Sequence, residues 1–177
     1  MVRVPIKQAR SIQDLYRQLV AGQKQAHGPD YCRHHDAIRR LADPEAVYAE
    51  IGVNQGATLA CAILAGFREV VGVDTRLELL EPCRKLFAHP TCTLLEQDAE
   101  DPLPFPVDVL LLDAQHTVAA VAGQLRAHGA NVRHHIVIHD TAAMPALHVE
   151  ACYWASCNRW AVAERSMASV GFTLLSR

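Results

Sequence analysis

Apolar and polar positions follow two different periods along this chain, and the order of those periods predicts an architecture. Between Ser11 and Gln25 the residues Ile12, Leu15, Tyr16 and Leu19 recur at helical spacing until "HGPD" interrupts them. A second helical stretch covers about Tyr31 to Leu41 and stops at "ADP". From there short β-like runs alternate with helical ones. The runs "AVYAEI", "EVVGVD", "CTLLEQD", "VDVLLLD" and "HHIVIHD" are separated by "GATLACAILAG", "RLELLEPCRKLFAH" and "TVAAVAGQLRAHG". Each spacer is long enough for a crossover helix, so the pattern predicts a parallel sheet covered on both faces. After a helix around Met144 to Cys157, "RWAVAERS" and "FTLLSR" are joined only by "MASVG". That link is too short for a parallel crossover and predicts an antiparallel hairpin at the sheet edge. The expected fold class is therefore α/β, a doubly wound Rossmann-like sheet of seven strands, mostly parallel with an antiparallel C-terminal hairpin.

At 177 residues the chain fits one domain, divided into an N-terminal helical segment over 1–43 and a core over 44–177. No internal repeat or linker marks a second one. Half of the residues are hydrophobic, but no apolar run reaches the length of a membrane span and "MVRVPIKQAR" lacks a signal-peptide core, so a cytoplasmic protein is expected. The net charge of −2 points to neither a nucleic acid nor an anionic membrane as partner. Six cysteines without a C-x-x-C pair read as reduced thiols rather than a disulfide framework or a zinc site.

Ligands of open α/β sheets bind beyond the carboxyl ends of the strands, and here four strands end in an acid: Glu50, Asp74, Asp113 and Asp140. Asp98 follows a fifth. The turn after the first run reads E-I-G-V-N-Q-G, with Glu50, Gly52, Asn54 and Gly56. It is neither the G-x-G-x-x-G of dinucleotide enzymes nor a P-loop, which argues against a diphosphate ligand. Glycines here either let a ligand approach the backbone or simply permit a tight strand-to-helix turn. Asp74, placed at the end of the next strand, suits the hydroxyls of a ribose and favours a nucleoside ligand.

From about Ala46 onward the sequence resembles the class I S-adenosylmethionine-dependent methyltransferases. The resemblance implies that Glu50, Gly52, Asn54 and Gly56 wrap the methionine and ribose of S-adenosyl-L-methionine, that Asp74 holds the ribose hydroxyls, and that Asp98 lies beside the adenine. "LLLDAQHTVAAVAGQL" with "IVIHDT" looks like the D-G-x-H and H-D pattern of small-molecule O-methyltransferases that include macrocin-type and cephalosporin-hydroxylase-like members. In metal-dependent members such positions bind a divalent cation. By position this implies Asp113 and Asp140 as ligands with His139 beside them, and His116 as the base. Asp113 also borders the cofactor. His139 stands where those relatives often carry Glu, and Ala114 replaces their glycine. A nitrogen ligand leaves room for Mn2+ or another transition metal beside Mg2+.

The expected activity is O-methylation of a small hydroxylated acceptor, a sugar or natural product. The alternatives are a noncatalytic adenosylmethionine-binding subunit, which would not need His116, and an NAD-linked oxidoreductase, which the glycine spacing disfavours. A homodimer is one reading of the assembly. Tyr31, His34 and His35 are candidate acceptor contacts, because the family's N-terminal segment often forms a lid. The doublets His34-His35 and His134-His135 otherwise read as solvated turn residues. Trp154 and Trp160 read as packing or interface residues.

Overall fold

A computed structural model of the protein describes residues 3–81 and 83–177. Two helices lead the chain, α1 (Ile12–His27) and α2 (Arg33–Leu41). Ser11 caps α1 by accepting the Asp14 backbone N–H at 3.1 Å, satisfying one of the donors that a helix start leaves unpaired. The core then runs β1 (Val47–Ile51), α3 (Ala57–Ala65), β2 (Glu69–Asp74), β3 (Cys92–Glu96), β4 (Val107–Leu112), α4 (Val118–His128), β5 (Val132–His139), α5 (Pro145–Asn158), β6 (Ala161–Ser166) and β7 (Phe172–Ser176).

The seven strands form one sheet in the order β3-β2-β1-β4-β5-β7-β6. The first five are parallel, whereas β7 pairs antiparallel with both β5 and β6. The order reverses between β1 and β4, which puts the crevice of an open α/β sheet at the carboxyl ends of those two strands. Successive residues of the central strands feed opposite cores. Tyr48, Val109 and Leu111 join the layer under α1, α2 and α3, while Ala49, Ile51, Leu110 and Leu112 join the layer under α4 and α5. Burial on both faces is why these strands read as nearly continuous apolar runs.

One expectation needs correction here. The crossover "RLELLEPCRKLFAH" is not one helix but two short 3-10 turns, Leu77–Leu80 and Arg84–Phe87. The sequence places Pro82 between them, and a proline supplies no N–H to continue a helical ladder; Pro82 itself lies outside the described residues. The third strand ends at Glu96, two residues short of the run "CTLLEQD", and Asp98 follows it as expected.

The N-terminal segment packs as a wall. Leu15 and Leu19 of α1 and Ala37 and Ile38 of α2 have no exposed surface and lie in the same core as Leu59 of α3. Cores of this kind are packed at crystal-like density, so both helices are fixed against the sheet in this state. Among the described residues, no helix is long and apolar enough to cross a membrane.

Candidate active site

The crevice between β1 and β4 is built by close approach of the chain to itself. Gly52 has φ +98, and a Cβ there would meet the Asp113 carbonyl oxygen at 2.5 Å. A Cβ on Gly56, with φ +79, would meet the Phe87 ring at 2.5 Å. Strand ends and a neighbouring turn fill the side-chain space at both positions, and Gly52 also lines the cleft described next. Backbone bonds from Gly52 to Val73 and from Asp113 to Ile51, at 2.8 and 2.9 Å, tie the ends of β1, β2 and β4 together.

A cleft of about 250 Å³ opens beside this junction, lined by Gly52, Asn54, Asp74, Gln97, Asp98 and Asp113 among others. Its acids are set by the backbone. Asp74 accepts the Asn54 N–H at 2.9 Å through Oδ2 and the Arg76 N–H at 2.9 Å through Oδ1. Each carboxylate oxygen has two lone pairs, so each keeps one for a ligand hydroxyl. Asn54 takes a left-handed φ of 49, which turns its N–H onto Asp74. Asp98 accepts the Glu100 N–H at 2.9 Å. Glu50 is not on the surface of this cleft. It is 1 % exposed, accepts the Tyr48 hydroxyl at 3.1 Å, and burial together with the Asp113 charge pushes its carboxyl well above the usual range. It borders a smaller cavity of about 50 Å³ with Gln23, Tyr31, His34, Thr58, Asp113, His116 and His139.

That smaller cavity belongs to a second constellation at the ends of β4 and β5. His139 Nδ1 lies 2.9 Å from Asp113 Oδ1 and 3.3 Å from Asp140 Oδ1. His116 Nδ1 contacts Asp140 Oδ2, and its Nε2 is 3.5 Å from Asp113 Oδ1. The His116 side chain is held chiefly by the Asp140 hydrogen bond, which raises its pKa against the opposing effect of burial. Burial lowers the His139 pKa, but the Asp113 charge and hydrogen bond and the Asp140 charge outweigh it, so the net direction is upward. Asp140 shows the complement: burial would raise it, yet the His116 hydrogen bond and both imidazoles hold it below the ordinary carboxylate range.

Among the described residues, three buried atoms in this corner have no hydrogen-bond partner: His116 Nε2, His139 Nε2 and Asp140 Oδ1. Unpaired buried polar atoms are costly. Asp140 also holds a left-handed φ of 61, a strained conformation for a residue with a side chain. Ligand atoms of Asp113, His139 and Asp140 all lie within 4.8 Å of one another, close enough to share one cation. A set of two carboxylates and an imidazole fits a divalent ion that accepts nitrogen as well as oxygen.

The structure thus brings Asp113, His116, His139 and Asp140 together, places Gly52, Asn54, Asp74 and Asp98 around the larger cleft, and seats Glu50 behind that cleft at the edge of the smaller cavity. Gly56 lies beneath them, against Phe87. The expectation that His34 and His35 are solvated is wrong: they are 4 % and 1 % exposed, because α2 turns both inward against α3. Burial, and then the neighbouring His139, drives His34 well below its ordinary pKa; burial takes His35 down to about 3. Tyr31 is half-buried, stacked on His27 at 4.4 Å, and burial near Asp113 and Asp140 pushes its phenol up to about 12. Thr58 and Tyr16, which bond to these histidines, were not legible as site residues. Thr58 sits in the first turn after the glycine motif, the one local signal that could have pointed to it.

No family model and no curated protein matches this chain. Solved structures do. The magnesium protoporphyrin IX methyltransferase of Synechocystis PCC 6803, with bound SAM, superposes with a TM-score of 0.68 at 12% identity, covering 98% of this chain and 86% of that one. An O-methyltransferase family 2 protein from Planctomyces limnophilus, in complex with apigenin, gives 0.65 at 15% identity over 92% of this chain. This chain spans 61% of that protein's length. An rRNA methylase from Streptococcus thermophilus gives 0.56 at 13% identity, covering 82% and 94%. The fold is the class I fold of S-adenosylmethionine-dependent methyltransferases. These neighbours are named for a porphyrin, a complex with apigenin and an rRNA, so the fold leaves the acceptor open.

Proposed function

We propose that the protein is an S-adenosylmethionine-dependent O-methyltransferase acting on a small hydroxylated molecule. The observation that carries this reading is the position of Asp113. It lines both the larger cleft, with Asp74 and Asp98, and the smaller cavity, with His116 and His139. A nucleoside-sized donor site and a proton-handling corner therefore meet at one side chain.

In this reading Asp74 takes the ribose hydroxyls with its free lone pairs, while Asp98 and Gln97 flank the base. The donor supplies a methyl group on a sulfonium, and transfer is an in-line displacement by the acceptor oxygen. Alignment of the two can contribute on the order of 7 to 11 kcal/mol, so rigid strand ends are an asset. His116 takes the acceptor proton, with Asp140 orienting its Nδ1 and Nε2 standing 3.5 Å from Asp113 Oδ1. Asp113, His139 and Asp140 would hold a divalent cation, whose chemistry when bound is to acidify a hydroxyl placed on it. Mn2+ or another ion that tolerates imidazole fits these ligands better than Mg2+.

Calorimetry with S-adenosylhomocysteine and with NAD tests the donor site. Micromolar or tighter binding of S-adenosylhomocysteine and none of NAD is expected, because no diphosphate cradle is present. Equal or stronger NAD binding would replace this reading by an oxidoreductase. Turnover that survives both a chelator and loss of His116 would leave an adenosylmethionine-binding protein whose corner has another role.

A further inference from the structure

We propose that His34 is a positioning residue for His139, and that a chain of hydrogen bonds running from exposed Arg39 through Tyr16 to the buried His35 and Thr58 holds it in place. The inference rests on the reading of the β4–β5 corner as the reacting end of the site. It assigns a task to α1 and α2 beyond covering the core.

The direction assigned to the chain starts from its first member. The Arg39 guanidinium can only donate, and it donates to the Tyr16 hydroxyl oxygen. The Tyr16 hydroxyl lies 3.1 Å from His35 Nδ1, and in the assigned direction its one proton goes to that nitrogen. His35 is then protonated on Nε2 and donates to Thr58 Oγ1 at 3.3 Å. The Thr58 hydroxyl proton is left for His34 Nε2 at 3.4 Å. In the same direction His34 carries its own proton on Nδ1. Two neutral imidazoles are thereby locked into opposite tautomers by groups on α1, α2 and α3. Their burial keeps both neutral, so no charge disturbs the sequence.

The chain ends against the site. The centroid of the His34 ring lies 4.1 Å from that of His139, nearer than Tyr31 at 6.1 Å or His116 at 6.4 Å. His139 needs such a neighbour. Its Nδ1 is bonded to Asp113, but its Nε2 is buried without a partner. A ring anchored at one nitrogen can turn unless packing blocks it, and site geometry is maintained by neighbours whose own rotamers are fixed. Thr58 is the member to test, since it joins the two histidines and is 6 % exposed.

The test is imidazole nitrogen–proton correlation spectroscopy on the nitrogen-15-labelled protein without added ligand. In the wild type, His35 should be protonated on Nε2 and His34 on Nδ1. His139 should show one set of signals, with Nδ1 carrying a proton donated to Asp113. In Thr58→Val the His139 set should broaden or split, and Thr58→Ser should restore it. The opposite tautomer at His34 or His35 in the wild type would overturn the chain. Unchanged His139 signals in folded Thr58→Val and His34→Phe would overturn the positioning role. Should the valine variant not fold, the wild-type tautomers and His34→Phe still decide. Titration of the same wild-type sample with S-adenosylhomocysteine separates the two readings: absent binding counts against the methyltransferase assignment, whereas the tautomer pattern is judged by itself.

Discussion

The two regions that meet at Asp113 differ in how their acids are held. In the larger cleft, Asp74 and Asp98 are fixed by backbone N–H groups within the same turns, at separations of two residues for Arg76 and Glu100. Their geometry is local and their charges face a half-open space. In the β4–β5 corner, Asp113 and Asp140 are held by imidazoles, one of them from the end of another strand, and three buried atoms stay unpaired. A group satisfied by the backbone holds still and binds. A group whose partners are themselves titratable can pass protons or exchange them for a cation. The first arrangement suits recognition of a ligand common to many acceptors; the second suits chemistry.

Substitutions can separate the regions. The largest effect is expected for His116→Ala, which should lower turnover of any acceptor that the wild type methylates by about 10²-fold or more. S-adenosylhomocysteine affinity, read by calorimetry, should be spared, because the base acts on the acceptor. A parallel loss of cofactor affinity would erase the distinction. Asp74→Ala should do the reverse: weaker S-adenosylhomocysteine binding by about 1.5 to 3 kcal/mol, the range for hydrogen bonds to a charged group. Unchanged affinity in that variant would place the ribose elsewhere.

Gly52→Ala probes the junction. Its Cβ would press on the Asp113 backbone in a left-handed conformation, so about 1 to 3 kcal/mol of stability should be lost in chemical denaturation. Cofactor affinity and turnover should fall together, and a loss confined to one would show that the regions are not joined at this point.

The smallest effect concerns the other end of β4. Asp108 accepts the Val47 N–H at 2.8 Å and an Arg133 N–H at 3.2 Å. Burial opposes its ionisation, but those bonds outweigh it and hold its pKa below the ordinary value. The unfolded chain therefore binds this proton more readily, and the stabilisation present above about pH 4 is lost as pH falls through the lower folded value. Asp108→Asn should remove that part of the acid slope in denaturation curves measured between about pH 5 and 2. Its expected cost at neutral pH is about 1 kcal/mol, with cofactor binding intact. A change in S-adenosylhomocysteine affinity would mean that acids at the two ends of the strand are not independent.

The sequence by itself determined the frame. Strands buried on both faces must be continuously apolar, crossovers need their length, and "MASVG" is too short for anything but a hairpin, so α/β order and the antiparallel edge were readable from period and spacing. Acids at strand ends were readable because strand polarity places all such ends on one side of a parallel sheet. Tertiary structure decided what those positions mean. That Gly52 yields to the Asp113 backbone, that Glu50 sits behind the cleft, and that His34 and His35 point inward are consequences of packing between segments far apart in sequence. A helical pattern reports which face is apolar, but a histidine is polar on either face, and only the partners it meets, here Thr58, Tyr16 and His139, fix whether it is buried. The broken crossover after β2 belongs to both levels: Pro82 stands in plain sight in the sequence, and packing of Leu80 and Phe87 into the core shows what replaces the helix.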